Sequence, residues 1–147
     1  MKSFRLSQIT STFLPGVVIF LAFSLGSCAK KIAFQSSVIV PAAEGRVKIK
    51  KDNNENYSLD ITLRNLVESR KLQPPRNTYV VWSETDRNGI QNIGQINSSS
   101  GLFSSTLKAS LKAVTPFKPV RIFITAEDDV SIRYPASLVV MTTRSFY

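Results

Sequence analysis

An antiparallel β-sandwich is the fold this sequence predicts, and three observations predict it. Apolar and polar residues alternate with period two through most of the chain beyond residue 31. The alternating runs are short and are separated by residues that suit turns. No window carries a convincing helical stripe: only Asn65–Leu72 suits a helix, and Pro74-Pro75 stops it. Short alternating strands with frequent turns are the pattern of packed antiparallel sheets.

The elements follow in order. Ile32–Val40 is the first candidate strand. Val47 and Ile49 then alternate with Arg46, Lys48 and Lys50. Beyond the turn-forming Asp52–Asn56, Tyr57, Leu59, Ile61 and Leu63 alternate with Ser58, Asp60, Thr62 and Arg64. Thr78–Glu84 and Ile90–Ile96 flank Asp86–Gly89, whose Asn-Gly pair suits the positive-φ positions of a hairpin turn. After Ser98–Gly101, one stripe holds Phe103, Leu107, Ala109 and Leu111; after Pro116–Pro119, another holds Val120, Ile122, Ile124 and Ala126. Ser137–Thr142 completes eight candidate strands. Leu59, Ile61, Leu107, Ile122 and Ile124 are expected to share one interior. Tyr79 and Trp82, three residues apart, fall on opposite strand faces. Trp82 with Val80 is the better choice for the sandwich core, because a buried Trp contributes so much area.

Composition narrows the chemistry. The chain has 147 residues, 19 Lys+Arg against 10 Asp+Glu, a net charge of +9, one Cys and no His. The length suits one domain, and 43% apolar residues can build a core. One Cys forms no internal disulfide, and without His there is no Cys/His zinc site and no His-activated nucleophile. The expected protein is therefore not an enzyme and holds no cofactor or metal. Glu127-Asp128-Asp129 is the only acidic cluster. It lacks the Asp-x-Asp-x-Asp-Gly spacing of a calcium loop and reads as a solvated turn. A hydrolase relying on Asp or Glu is the weakest alternative, since nothing flanking the cluster suggests a sugar site.

The first residues read as an address. Lys2 and Arg5 precede an apolar stretch, Phe13–Leu25, then Gly26-Ser27 and Cys28. The stretch is shorter than the ~20 residues of a spanning helix and is broken by Pro15-Gly16. Leu25-Gly26-Ser27-Cys28 resembles the lipobox of bacterial lipoproteins. The resemblance implies that cleavage makes Cys28 the mature N-terminus and that Cys28 carries the lipid. It divides the chain into a signal peptide, 1–27, a tether, 28–31, and a domain, 32–147. Removing the signal, with Lys2 and Arg5, leaves 120 residues and a charge of +7. Ala29 after the Cys fits outer-membrane sorting as in enteric lipoproteins, on the periplasmic face or the cell surface.

Arg46, Lys48 and Lys50 project from one strand face, with Lys51 at its end. They are candidates for binding an anionic surface: lipid headgroups or an acidic envelope polymer. The alternative is a strand edge protected by lysines. Nucleic acid is not an expected partner, because the strip has no interleaved aromatics and the signal directs the chain out of the cytoplasm. The final Phe146-Tyr147 reads as an ordinary strand end, the strands being mostly too short for an outer-membrane barrel.

Leu72–Trp82, with Pro74-Pro75 before Tyr79-x-x-Trp82, is followed by Ile93-Gly94-Gln95-Ile96, Phe123–Glu127 and Pro135. This succession, spanning roughly residues 72–142, resembles the extracytoplasmic C-terminal domain of anti-sigma-K-type regulators. The resemblance implies an antiparallel immunoglobulin-like β-sandwich of seven or eight strands behind the signal segment. It also suggests a sensory or regulatory envelope module. Those regulators carry a cytoplasmic sigma-binding domain and a membrane-spanning helix; this chain has a lipoprotein signal instead, so sigma-factor binding does not carry over. The leading expectation is a membrane-anchored, non-enzymatic interaction or assembly module. Its partners would be the membrane, through the N-terminal lipid, and an envelope protein or anionic envelope component.

Overall fold

The computed structural model describes residues 29–99 and 108–147. Residues 1–27, read from sequence as a signal peptide, and Cys28 and Leu107 lie outside the described residues. Eight strands run in chain order: β1 (Lys30–Ala33), β2 (Glu44–Lys51), β3 (Tyr57–Arg64), β4 (Thr78–Thr85), β5 (Ile90–Ser99), β6 (Lys108–Thr115), β7 (Pro119–Glu127) and β8 (Val139–Thr142). Among the described residues there is no α-helix and hence none that would cross a membrane. The helix suggested over Asn65–Leu72 is reduced to one 3₁₀ turn, Ser69–Lys71.

All pairings between strands are antiparallel, in the order β1-β2-β3-β6-β5-β4-β7-β8. The array folds into two facing layers. β1, β2, β3 and β6 form the first, and β5, β4, β7 and β8 form the second. β5 joins them: its first part pairs with β4, and Asn97–Ser99 pair with β6. A bulge helps it turn. Val81 faces Gly94 but Trp82 faces Asn92, leaving Ile93 as the extra residue. Gly94 sits there at φ +131°, backbone open to glycine, and a Cβ would meet Leu111 at 3.3 Å. On the other side, Phe34 bridges Thr143 and Gln35 N–H donates to Thr142, closing β1 towards the end of β8.

The β3–β6 and β4–β7 pairings place β2 to β8 in the immunoglobulin order, with β2, β3 and β6 in one sheet and β4, β7 and β8 in the other. β1 is an addition outside β2. It starts at Lys30, two residues before the expected Ile32, and stops at Ala33 instead of running to Val40. Of the strand expected over 103–111, residues 103–107 lie outside the described residues, and β6 runs from Lys108 on to Thr115.

The main core lies between the layers. Val47, Ile49, Leu59, Ile61 and Leu63 from the first sheet meet Tyr79, Val81, Ile122, Ile124 and Met141 from the second. Trp82 is fully buried but not here. With Val80 and Phe123 it forms a second cluster, covered by Ile90 and Ile132. The expected placement of Trp82 is therefore reversed: Tyr79 fills the interior, and Trp82 lies on the outer face of the second sheet. The segment after β7 folds back over that face and supplies the cover.

Candidate anion-binding face

β2 lies between β1 and β3 and is hydrogen-bonded to both. Over Arg46–Ile49 it is no sheet edge, so edge protection does not explain Arg46 and Lys48; Lys50 and Lys51 lie beyond the last β1 partner. Its core-facing Val47 and Ile49 are buried, and Arg46, Lys48 and Lys50 are exposed on the opposite face. Lys51 departs from the set. It follows Lys50 directly, so pleating turns it the other way, and its Nζ lies 2.8 Å from Glu55 Oε1. That hydrogen bond holds the Lys51 ammonium above its ordinary pKa and the Glu55 carboxyl below its own.

Register shows what the strip belongs to. Lys48 stands between Lys31 of β1 and Asp60 of β3, and Asp60 faces Lys112 of β6. Arg46 lies between Ala33 and Thr62, Lys50 beside Ser58, and Arg64 beside Lys108. The outer face of the first sheet thus carries Lys31, Arg46, Lys48, Lys50, Arg64, Lys108 and Lys112. Only Glu44 and Asp60 oppose them among the described residues on that face. None of the seven takes part in an ion pair with another described residue.

Lys31 directly opposite Lys48 is an unfavourable cross-strand pair. Adjacent strands are about 4.8 Å apart, and side chains on one face repeat about every 6.8 Å along a strand. The ammonium and guanidinium groups therefore form a grid whose spacing suits several phosphates or carboxylates at once. Sequence alone found the β2 row. It missed Lys31, Arg64, Lys108 and Lys112, because the β3–β6 pairing that adds the last two joins segments more than forty residues apart.

The acidic cluster does not converge. Glu127 is 2% exposed, and its Oε1 accepts the N–H groups of Ala136 and Ser137 at 3.1 and 3.2 Å. Asp128 pairs with Arg76 at 2.6 Å, and Asp129 accepts from Ser131. The solvated-turn reading thus fails for Glu127, which is buried to hold the segment over Trp82. Among the described residues, no three His, Cys, Asp or Glu side chains gather as a metal site.

The terminal aromatics are more than a strand end. β8 stops at Thr142, and Phe146 N–H bonds the Val120 carbonyl. Phe146 packs against the core, with Tyr147 edge-on to it at 5.4 Å. No family model, curated protein or solved structure matches the chain.

Proposed function

We propose that the protein is a lipid-anchored extracytoplasmic interaction module, without catalytic activity, whose first-sheet outer face takes an anionic envelope component. The single observation that carries the anionic partner is the seven-cation face built on a strand that is not an edge over Arg46–Ile49. Lipidation rests on the sequence around Cys28. The ligand chemistry is a surface or polymer of closely spaced phosphates or carboxylates.

Anchoring is tested by the mass of the chain from the membrane fraction. Cys28 should be its first residue and carry acyl groups, and C28S should accumulate unprocessed precursor. Mature chain in the soluble fraction with a free thiol would overturn it. For the face, the full chain in neutral vesicles is titrated with polyphosphate, and its lateral association is compared in neutral and anionic vesicles. Each basic group near an anionic surface contributes about 1 kcal/mol, so R46Q/K48Q/K50Q should lose roughly a hundredfold in affinity at low salt. K51Q should bind as the wild type does, and D60N more tightly. A response to polyphosphate alone or to anionic lipid alone identifies the source. A triple variant that binds like wild type sinks the reading.

A further inference from the structure

The end of the sandwich where β1 begins carries a second group of side chains. Lys30 donates to the Phe146 carbonyl and stands over two rings, 5.7 Å from the centre of Phe146 and 4.1 Å from that of Tyr147. Lys118, from the β6–β7 turn, approaches Tyr147 at 4.6 Å. Tyr147 is 56% exposed, and Val114, near the same end of β6, is 68% exposed. The start of β1 and the final aromatic pair are thus locked together beside two ammonium groups.

Such a composition suits the boundary between lipid and water. Aromatic rings with a polar tip are stable at headgroup depth, and lysine stems lie along apolar surface while their ammonium groups reach phosphates. The position of the tether says what this end meets. Cys28 precedes Lys30 by two residues. At about 3.5 Å per residue, the anchoring sulfur-bearing residue lies within ~7 Å of Lys30 along the chain.

We propose that this end, formed by Lys30, Lys118, Phe146, Tyr147 and Val114, docks in the lipid–water interface beside the acyl anchor and stands the sandwich on end. The proposal rests on lipidation of Cys28. It gives the basic face a direction. Lys50 lies at the membrane end of β2, and Arg46 four residues further up. That rise is about 14 Å, beyond the ~8–10 Å screening length. The upper part of the face, with Arg46, Arg64 and Lys108, is then presented to an anionic component other than the bilayer.

The test uses the full chain in vesicles containing brominated lipid, with tryptophan placed at either end. Trp82 is the only native Trp and is buried, so it gives a common background. Y147W reports on the proposed membrane end. L138W reports on the opposite end, where Leu138 is 77% exposed. Y147W should be quenched several-fold more than L138W, and K30Q/K118Q should reduce that difference. Acylation is read by mass on the same sample. An unacylated Cys28 overturns the proposed function and the docked end with it. An acylated chain in which Y147W is quenched no more than L138W overturns the docked end alone.

Discussion

Tyr79 and Trp82 divide the two faces of β4 between them, and each can be read by a separate property. Tyr79 is 1% exposed and donates its hydroxyl to the Val67 carbonyl at 2.9 Å. Burial pushes its phenol up to about 12. An unfolded tyrosine titrates near 10, so above that pH the unfolded chain binds fewer protons than the folded one. The stability held by the neutral ring is complete below about pH 10 and is lost as pH rises towards 12. Y79F should cost about 1 kcal/mol at neutral pH for the lost hydrogen bond and should lose less stability than wild type on going alkaline. Urea unfolding at pH 7 and pH 11 decides it; an unchanged alkaline loss in Y79F would point to other groups. The sequence spacing correctly put the two rings on opposite faces. Its choice of the Trp82 face as the interior was wrong, and the reason is that Tyr79 through Ser83 are all buried. A strand covered on both sides loses the alternation that marks an interior.

At the scale of elements, the segment from Asp128 to Leu138 is the cover that buries the second face. Asn92 Nδ2 donates to the carbonyls of Val130 and Ile132 at 2.9 and 3.0 Å, while Glu127 accepts two N–H groups further along. Asn77 donates to the Asp128 carbonyl at 3.2 Å. These bonds lay Ile132 on the Trp82 cluster, where Trp82 stacks on Phe123 at 6.3 Å and donates to Thr125 at 2.8 Å. E127A leaves the partly buried N–H groups of Ala136 and Ser137 without their acceptor, and since water can reach the exposed Ala136 the cost is about 1–3 kcal/mol in all. In E127A or N92A, Trp82 emission should shift to the red and become open to acrylamide before the sheets unfold. Unaltered Trp82 emission in both variants would mean that packing of Ile132 alone holds the cover. Gly45 shows how tightly the first sheet is packed along its own strands: a Cβ there would fall 2.3 Å from Leu63, its register partner on β3, and 2.9 Å from Phe34, just beyond β1.

For the whole molecule, the one-sided charge of the first sheet has a thermodynamic consequence. Seven cations against two carboxylates repel one another across a single face, with Lys31 opposite Lys48. Screening relieves that repulsion, so the melting temperature should rise as salt increases from a few millimolar to physiological strength. R46Q/K48Q/K50Q should melt higher at low salt and respond less to added salt. A wild-type melting temperature that falls with salt would show that attractive pairs dominate instead.

The fold class and most of the strands are legible in the residue pattern, because one buried and one solvated face impose period two on β2, β3 and β6. That pattern also placed the turns, since Asp52–Asn56 and Asn88-Gly89 carry the chemistry those breaks need. Which strands became neighbours is visible only once the chain is folded. Pairing β2 with β1 and β3, and β3 with β6, added Lys31, Arg64, Lys108 and Lys112 to Arg46, Lys48 and Lys50 and left Lys51 off the face, and β1 took β2 from the outermost position. Folding likewise took Glu127 out of solvent and brought Lys30 against Phe146. Alternation is local and can be read along one strand. Register between distant strands depends on how whole faces fit, and a linear pattern does not contain that fit.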